Sequence, residues 1–362
     1  MDIRLRSYEP TDADSVLALF NRVFSPQRTR DYWLWKTMLN PAGPLASTIA
    51  TDDGRTVGHY GGIPVRILLD GEVCTGCQIV DSMVDPDYRN SLSKVRLFAR
   101  LAEHRFDRFA ADELPVAFGF PNSRVRDFGI KILKYLPVAA LTKYVKPLTP
   151  LGLNSAPVTP IPKLLGRLAL SVCGGIAQHR AARRGSARCH LIEIDRFPSD
   201  LNREARHMLE PYRLAVLRDA GYMGWRYFRH PVHRYICHEL RDLQQRPLAW
   251  MVSRIYSEQG IQLACLTDWV TGGRDRSLNR RMSTLLCHVE NHLHVEYKVD
   301  RIIAYVHGGS TWHRTFITNG FVPRRGADEL LLVARRWNSH PSEAILTAPA
   351  SWFATAGDCD GW

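Results

Sequence analysis

A chain that repeats its own order of elements must fold as two like units, and this 362-residue sequence does so. Tyr32-x-x-Trp35-Lys36 followed by Pro41 returns at the same spacing as Tyr222-x-x-Trp225-Arg226 followed by Pro231. The flanks repeat as well. Ile3 to Arg6 alternates as a strand does, and Thr11-Asp12-Ala13-Asp14 can cap a helix with Val16, Leu19, Phe20 and Val23 on one face. Leu191 to Phe197, followed by Ser199-Asp200-Leu201, echoes that opening. Strands over Thr48–Thr51, Thr56–Tyr60, Val65–Leu69 and Glu72–Val84 are separated by turn signals at Asp53-Gly54, Gly61-Gly62-Ile63-Pro64 and Asp70-Gly71. Leu248–Ile255 and Gln262–Val270 are their counterparts, and Asp268 falls where Asp81 fell. Several matches in one order point to duplication.

The most informative single stretch is Gln78 to Phe98. Ile79, Val80, Met83 and Val84 read as a strand, and Pro86, which lacks a donor, stops the ladder. Asn90, Ser91 and Ser93 are good helix starters, after which Val95, Leu97, Phe98, Leu101 and Ala102 recur at helical spacing. A strand that turns into a helix aims free amides at one point, and that point suits a phosphate. A plain strand–helix corner fits these residues equally well.

Composition narrows the class. An apolar fraction of 45% with 23% charged residues describes a folded globular chain. A formal charge of +12 fits cofactor phosphates, nucleic acid or a membrane surface, and selects none of them. Eight cysteines are scattered, and the start Met-Asp-Ile-Arg-Leu-Arg carries no apolar segment, so a cytoplasmic location is expected. Cys74 and Cys77 read as buried thiols; no second pair follows at ligand spacing, and no metal is expected. No uncharged apolar run reaches membrane-spanning length. Pro147, Pro150, Pro157, Pro160 and Pro162 mark a linker, and Leu164 to Arg184 reads as a basic connecting helix.

Val84-Asp85-Pro86-Asp87-Tyr88-Arg89 resembles the strand end and pyrophosphate turn of the GNAT superfamily of acyl-CoA-dependent N-acetyltransferases, although Asn90 and Leu92 stand where that family carries glycines. Trp35-Lys36, Asn40-Pro41-Ala42-Gly43 and Gly119-Phe120-Pro121-Asn122 resemble one subgroup of it. Asn319-Gly320-Phe321 is similar to its closing turn, and the tail from Trp352 to Asp360 resembles the ending of relatives of that subgroup. The fold so implied is α/β (α+β): two tandem GNAT-like domains, each a mixed, mostly antiparallel sheet with flanking helices. Residues 1–146 would form the first, 147–188 the connection and 189–362 the second. The second copy has Thr271-Gly272-Gly273-Arg274 in place of the Pro-x-Tyr-Arg turn, which implies one active domain and a degenerate partner.

The resemblance implies acetyl-CoA or another acyl-CoA as co-substrate. Met83 and Val84 would offer N–H and C=O groups to its pantetheine arm. Arg89, Asn90, Ser91, Leu92, Ser93 and Lys94 would surround its pyrophosphate, and Asn122 would stand at the end of the fifth strand. Asp81 and His59 are candidate bases and Tyr60 a candidate acid, each of which also reads as a structural residue. Phe128 lies nearest the position of the family's usual tyrosine, so no proton donor for the thiolate is evident. The implied activity is N-acyl transfer, with acetyl transfer first, to an amine of a small metabolite, sugar or amino acid. Two alternatives stay open: a FemAB-type transferase fed by aminoacyl-tRNA, and a non-catalytic pair acting as ligand-binding or scaffold protein. A homodimer is left open.

Overall fold

The computed structural model describes residues 3–25, 27–88, 92–112, 114–153, 188–272, 276–324, 326, 329–337, 339 and 341–361. The proline linker beyond residue 153 and the basic connecting helix lie outside them, as does the second-half Gly273-Arg274. Among the described residues no helix is long and apolar enough to cross a membrane.

The first half runs β1 (Arg4–Ser7), α1 (Ala13–Val23), α2 (Arg30–Met38), β2 (Thr48–Asp52), β3 (Arg55–Leu69), β4 (Glu72–Val84), α3 (Leu92–Ala111), β5 (Val116–Gly119), α4 (Ser123–Lys131) and β6 (Leu136–Pro147). The second runs β7 (Cys189–Ile194), α5 (Asp200–Leu209), β8 (Leu214–Val216), α6 (Ala220–Met223), β9 (Tyr235–Asp242), β10 (Pro247–Glu258), β11 (Ile261–Thr271), α7 (Arg276–Tyr297), β12 (Arg301–His307), α8 (Thr311–Thr318), β13 (Val322–Arg324) and β14 (Leu330–Arg336). A tail with α9 (Glu343–Thr347) and β15 (Trp352–Phe353) closes the chain. Local causes are plain. Val16, Leu19 and Phe20 give α1 its buried stripe, and Thr29 caps α2 by accepting from the Tyr32 amide. One expectation needs correcting: Gly61–Pro64 does not divide two strands, because β3 passes straight through it. Gly62 makes this possible, since a Cβ there would come within 2.4 Å of the Cys77 sulfur and 3.0 Å of the Ala46 carbonyl.

The sheet is mixed and mostly antiparallel, in the order β1-β2-β3-β4-β5-β14-β6-β12-β11-β10-β9-β7. The two halves exchange strands at its centre. β14, late in the chain, lies between β5 and the first part of β6. The second part of β6 lies between β12 and β13. Each half thus borrows backbone partners from the other, and one apolar core runs through both.

The repeated tryptophans meet at this seam. Trp35 and Trp225 stack with ring centroids 4.9 Å apart and planes 17° from parallel. Each indole N–H donates to the other's backbone carbonyl at 3.0 Å. Such reciprocity is what a duplicated unit produces about a local two-fold axis. Both rings are buried, so Trp35→Ala and Trp225→Ala should each cost about 3–5 kcal/mol in urea unfolding. The double variant should cost less than the sum by about 1 kcal/mol or more, since either change already removes the shared contact. Strict additivity would show that the pair does not hold the halves together.

Candidate active site

β4 and β5 run parallel but pair through just two positions, Cys77 with Ala117 and Gln78 with Phe118. Beyond them the strands part. β5 is held on its other edge by β14, and β4 is bent by an irregularity where it pairs with β3 between His59 and Gly61. Asp81 sits at that bend with φ of 47°, a conformation unusual for a non-glycine residue. The gap is a cavity of about 410 Å³. Gln78 to Ser82 form one wall and Ala117 to Asn122 the other. Phe20 and Phe24 at the end of α1, Tyr60, Tyr135 and the tail residues Cys359 to Gly361 also line it, with Phe98 of α3 and Val333 and Ala334 of β14 among the rest.

One end of the cavity is charged. Lys36 on α2 is fully buried and pairs with Asp81 at 2.6 Å and with Asp360 of the tail. Burial works against the ammonium, but Asp360 and Asp81 outweigh it and hold Lys36 well above the usual lysine range. Burial pushes the Asp81 carboxyl above the ordinary carboxylate range, and Lys36 offsets this in part. Burial acts on Asp360 in the same direction, yet Lys36 prevails there and keeps its carboxyl low. Asp360 is also the more open of the two, with a side chain 26% exposed against 6% for Asp81.

The other expected residues divide. Tyr60 lines the cavity, and its hydroxyl is hydrogen-bonded to that of Tyr135. Burial raises the Tyr135 phenol, with Arg335 opposing. His59 stays behind β4: its Nδ1 donates to the Asp81 carbonyl at 2.8 Å, and its ring packs edge-on to Trp33. Burial takes this imidazole down to about 4, so it is neutral near pH 7 and supports the bend from the rear. Met83 and Val84 are buried in the β3–β4 ladder, while the β4 wall of the cavity ends at Ser82. Asn122 lines the cavity and caps α4 by accepting from the Val125 amide at 3.1 Å. Arg89, Asn90 and Ser91 lie outside the described residues; Leu92, Ser93 and Lys94 begin α3, and their side chains lie outside them too. The turn before them is firmly held. Asp85 pairs with Arg22 and Arg55, and the Tyr88 hydroxyl donates to Asp52 at 2.6 Å.

Sequence reading missed Lys36 and Tyr135 as members of this site; for the acidic tail that ends at Asp360, capping a site and supplying a carboxylate was one of two readings, the other being a last strand with a frayed end. The repeat of Lys36 as Arg226 was the usable signal for a buried cation; nothing local marks Tyr135.

The matching place in the second half is filled. β11 and β12 pair from Leu263–Arg301 to Leu266–Ala304 and β11 is again bulged against β10. Trp269, Trp312, Phe316 and Phe353 pack there as a buried cluster, with centroids 5.5–6.4 Å apart among the contacting rings. Arg218 is fully buried against Asp268 at 3.3 Å and Asp358 at 2.5 Å. Asp358 comes from the same tail that brings Asp360 to Lys36.

Lys36→Met would leave Asp81 and Asp360 facing each other without a cation. The expected loss is about 3–5 kcal/mol in mildly alkaline buffer. A carboxyl raised in the folded state favours folding below its unfolded value and loses that advantage as pH rises through the folded value. The variant's deficit should therefore shrink on acidification, as read by urea unfolding across pH. A deficit independent of pH would contradict this charge arrangement.

Residues 4–130 match a family model described as an acetyltransferase (GNAT) domain. No curated protein matches the sequence. Among solved structures, a GCN5-related N-acetyltransferase from Anabaena variabilis superposes with a TM-score of 0.62 at 10% identity, over 96% of this chain and 75% of that one. Saccharomyces cerevisiae N-myristoyltransferase with bound myristoyl-CoA gives 0.59 at 12% identity, over 92% and 82%. A tandem GNAT protein from the clavulanic acid biosynthesis pathway gives 0.51 at 12% identity, over 92% and 98%. At these identities the likeness is one of fold, and the family model adds that residues 4–130 are similar to a GNAT acetyltransferase domain.

Proposed function

We propose that the chain is an N-acyltransferase that moves an acyl group, acetyl first among the candidates, from acyl-CoA directly to the amine of a small molecule. The observation that carries this is the parting of β4 and β5 after two pairs, with carboxylates and phenols on the walls of the gap. Strands that part expose backbone N–H and C=O groups, and a pantetheine arm carries amides that can satisfy them. The yeast N-myristoyltransferase of similar fold holds an acyl-CoA, which supports the same class of donor here.

The chemistry then divides between the two ends of the cavity. Asp360, held ionised by Lys36, attracts the acceptor as its ammonium form. Asp81, whose burial raises its proton affinity, takes a proton from it. The free amine attacks the thioester carbonyl, a C–N bond forms and the C–S bond breaks. The Tyr60–Tyr135 hydroxyl pair supplies a proton to the departing thiolate and is restored by the second proton that nitrogen loses once the C–N bond has formed, while Asp81 passes the first to solvent; of the two protons the ammonium gives up, one ends on sulfur and one is released. His59 holds the Asp81 carbonyl and does not touch the reacting atoms. The second half supplies β14, the tail and an interface.

Acetyl-CoA at about 100 times its dissociation constant should stabilise the fold by about 2.7 kcal/mol, read as a raised melting midpoint. A Cβ at Gly119 would stand 3.2 Å from the Ile79 carbonyl oxygen and 3.5 Å from the Ile79 Cβ, across the gap. Gly119→Leu should therefore keep a cooperative melt and lose the acetyl-CoA shift, together with amine-dependent release of free thiol. Equal shifts in parent and variant, or none in the parent, would overturn the assignment.

A further inference from the structure

Away from the cavity, three side chains in the second half converge without a role in acyl transfer. Glu193 on β7, His238 on β9 and His292 on α7 bring a carboxylate oxygen and two imidazole nitrogens within 4.8 Å of one another. Glu193 stands opposite His238 in the antiparallel β7–β9 ladder, so both side chains leave the same face of the sheet. α7 packs on β7 and β10 at that face. The His292 ring lies edge-on to His238, with centroids 4.9 Å apart, and its Nε2 is 3.6 Å from Glu193 Oε2.

The decisive member is His238. It is fully buried, and among the described residues neither of its ring nitrogens has a hydrogen-bond partner. An imidazole shut away with both nitrogens unmatched is unfavourable unless something else binds there. We propose that Glu193, His238 and His292 bind a zinc ion that ties the edge strand β7 and its neighbour β9 to helix α7. Two imidazoles and a carboxylate are a donor set zinc accepts, with a water in the fourth position. Tetrahedral bonds of about 2.1 Å would draw the donors to roughly 3.4 Å from one another, a shift within reach of side-chain rotation. Tyr297 donates to Glu193 Oε2 at 2.8 Å and so orients the carboxylate, as an outer partner of a ligand does. Such a clip would also brace the strand that ends the sheet order among the described residues.

The test uses untagged full-length protein, stripped with chelator and titrated with zinc chloride by calorimetry and thermal melting. The expected result is saturable binding of a single zinc per chain and a midpoint that climbs with zinc concentration. His292→Ala, at a side chain 32% exposed, and Glu193→Gln, at one 42% exposed, alter positions the fold can spare. Each should melt like the parent in chelator and lose the zinc-dependent rise. No binding by the parent overturns the proposal, as does an undiminished rise in both variants, which would assign the zinc to other histidines.

Discussion

An ammonium removed from water must be matched by carboxylates, and Lys36 is matched by two that come from distant parts of the chain. Asp81 arrives on β4 because a bulge turns it inward; Asp360 arrives because the tail is drawn into the seam. Were the lysine uncharged, neither carboxylate would have reason to be there. The arrangement therefore fixes three things together: the bend that opens β4 away from β5, the course of the last residues, and the negative end of the cavity.

The second half solves the same problem with different residues. Arg218 meets Asp268, the counterpart of Asp81, and Asp358, two residues before Asp360 in the same tail. Arg226, the counterpart of Lys36, is bonded to the carbonyls of Gly357 and Cys359. One short segment thus serves both copies, with Gln78 adding a 2.7 Å bond to the Asp358 carbonyl. The symmetry is broken by what fills the gap between the parting strands. In the first half it is open space lined by phenylalanines and two tyrosines; in the second, Trp269, Trp312, Phe316 and Phe353 occupy it. A buried aromatic cluster of this size contributes several kcal/mol through area alone, so the second copy has gained stability where the first keeps room for a ligand.

Much of this was legible from residue patterns, and for reasons that can be stated. The tryptophan repeat, the Asp70-Gly71 hairpin and the β4–Pro86 stop depend on local chemistry, which short sequence windows carry. Asp81 was visible as a carboxylate inside an apolar strand, an expensive place that demands a partner. The partner was not visible, because Lys36 and Asp360 reach it through tertiary packing. The strand exchange of β6 and β14 was hidden for the same reason: an apolar alternating run does not state which neighbour it will pair with. His59 read as a candidate base because a histidine on a strand says nothing of which way it faces. Tyr135 lies in the connection between α4 and β6, with no periodicity to mark it, and the zinc-type donors on β7, β9 and α7 are too far apart in sequence to form a spacing motif.

Amide hydrogen exchange with and without acetyl-CoA bears on the central claim, that the parted strands of the first half take the cofactor and those of the second cannot. The account predicts slowed exchange in residues 78–82 and 117–122 on adding acetyl-CoA, and no change in residues 263–271 and 301–307. Protection confined to the second-half strands, or absent from both, would contradict it.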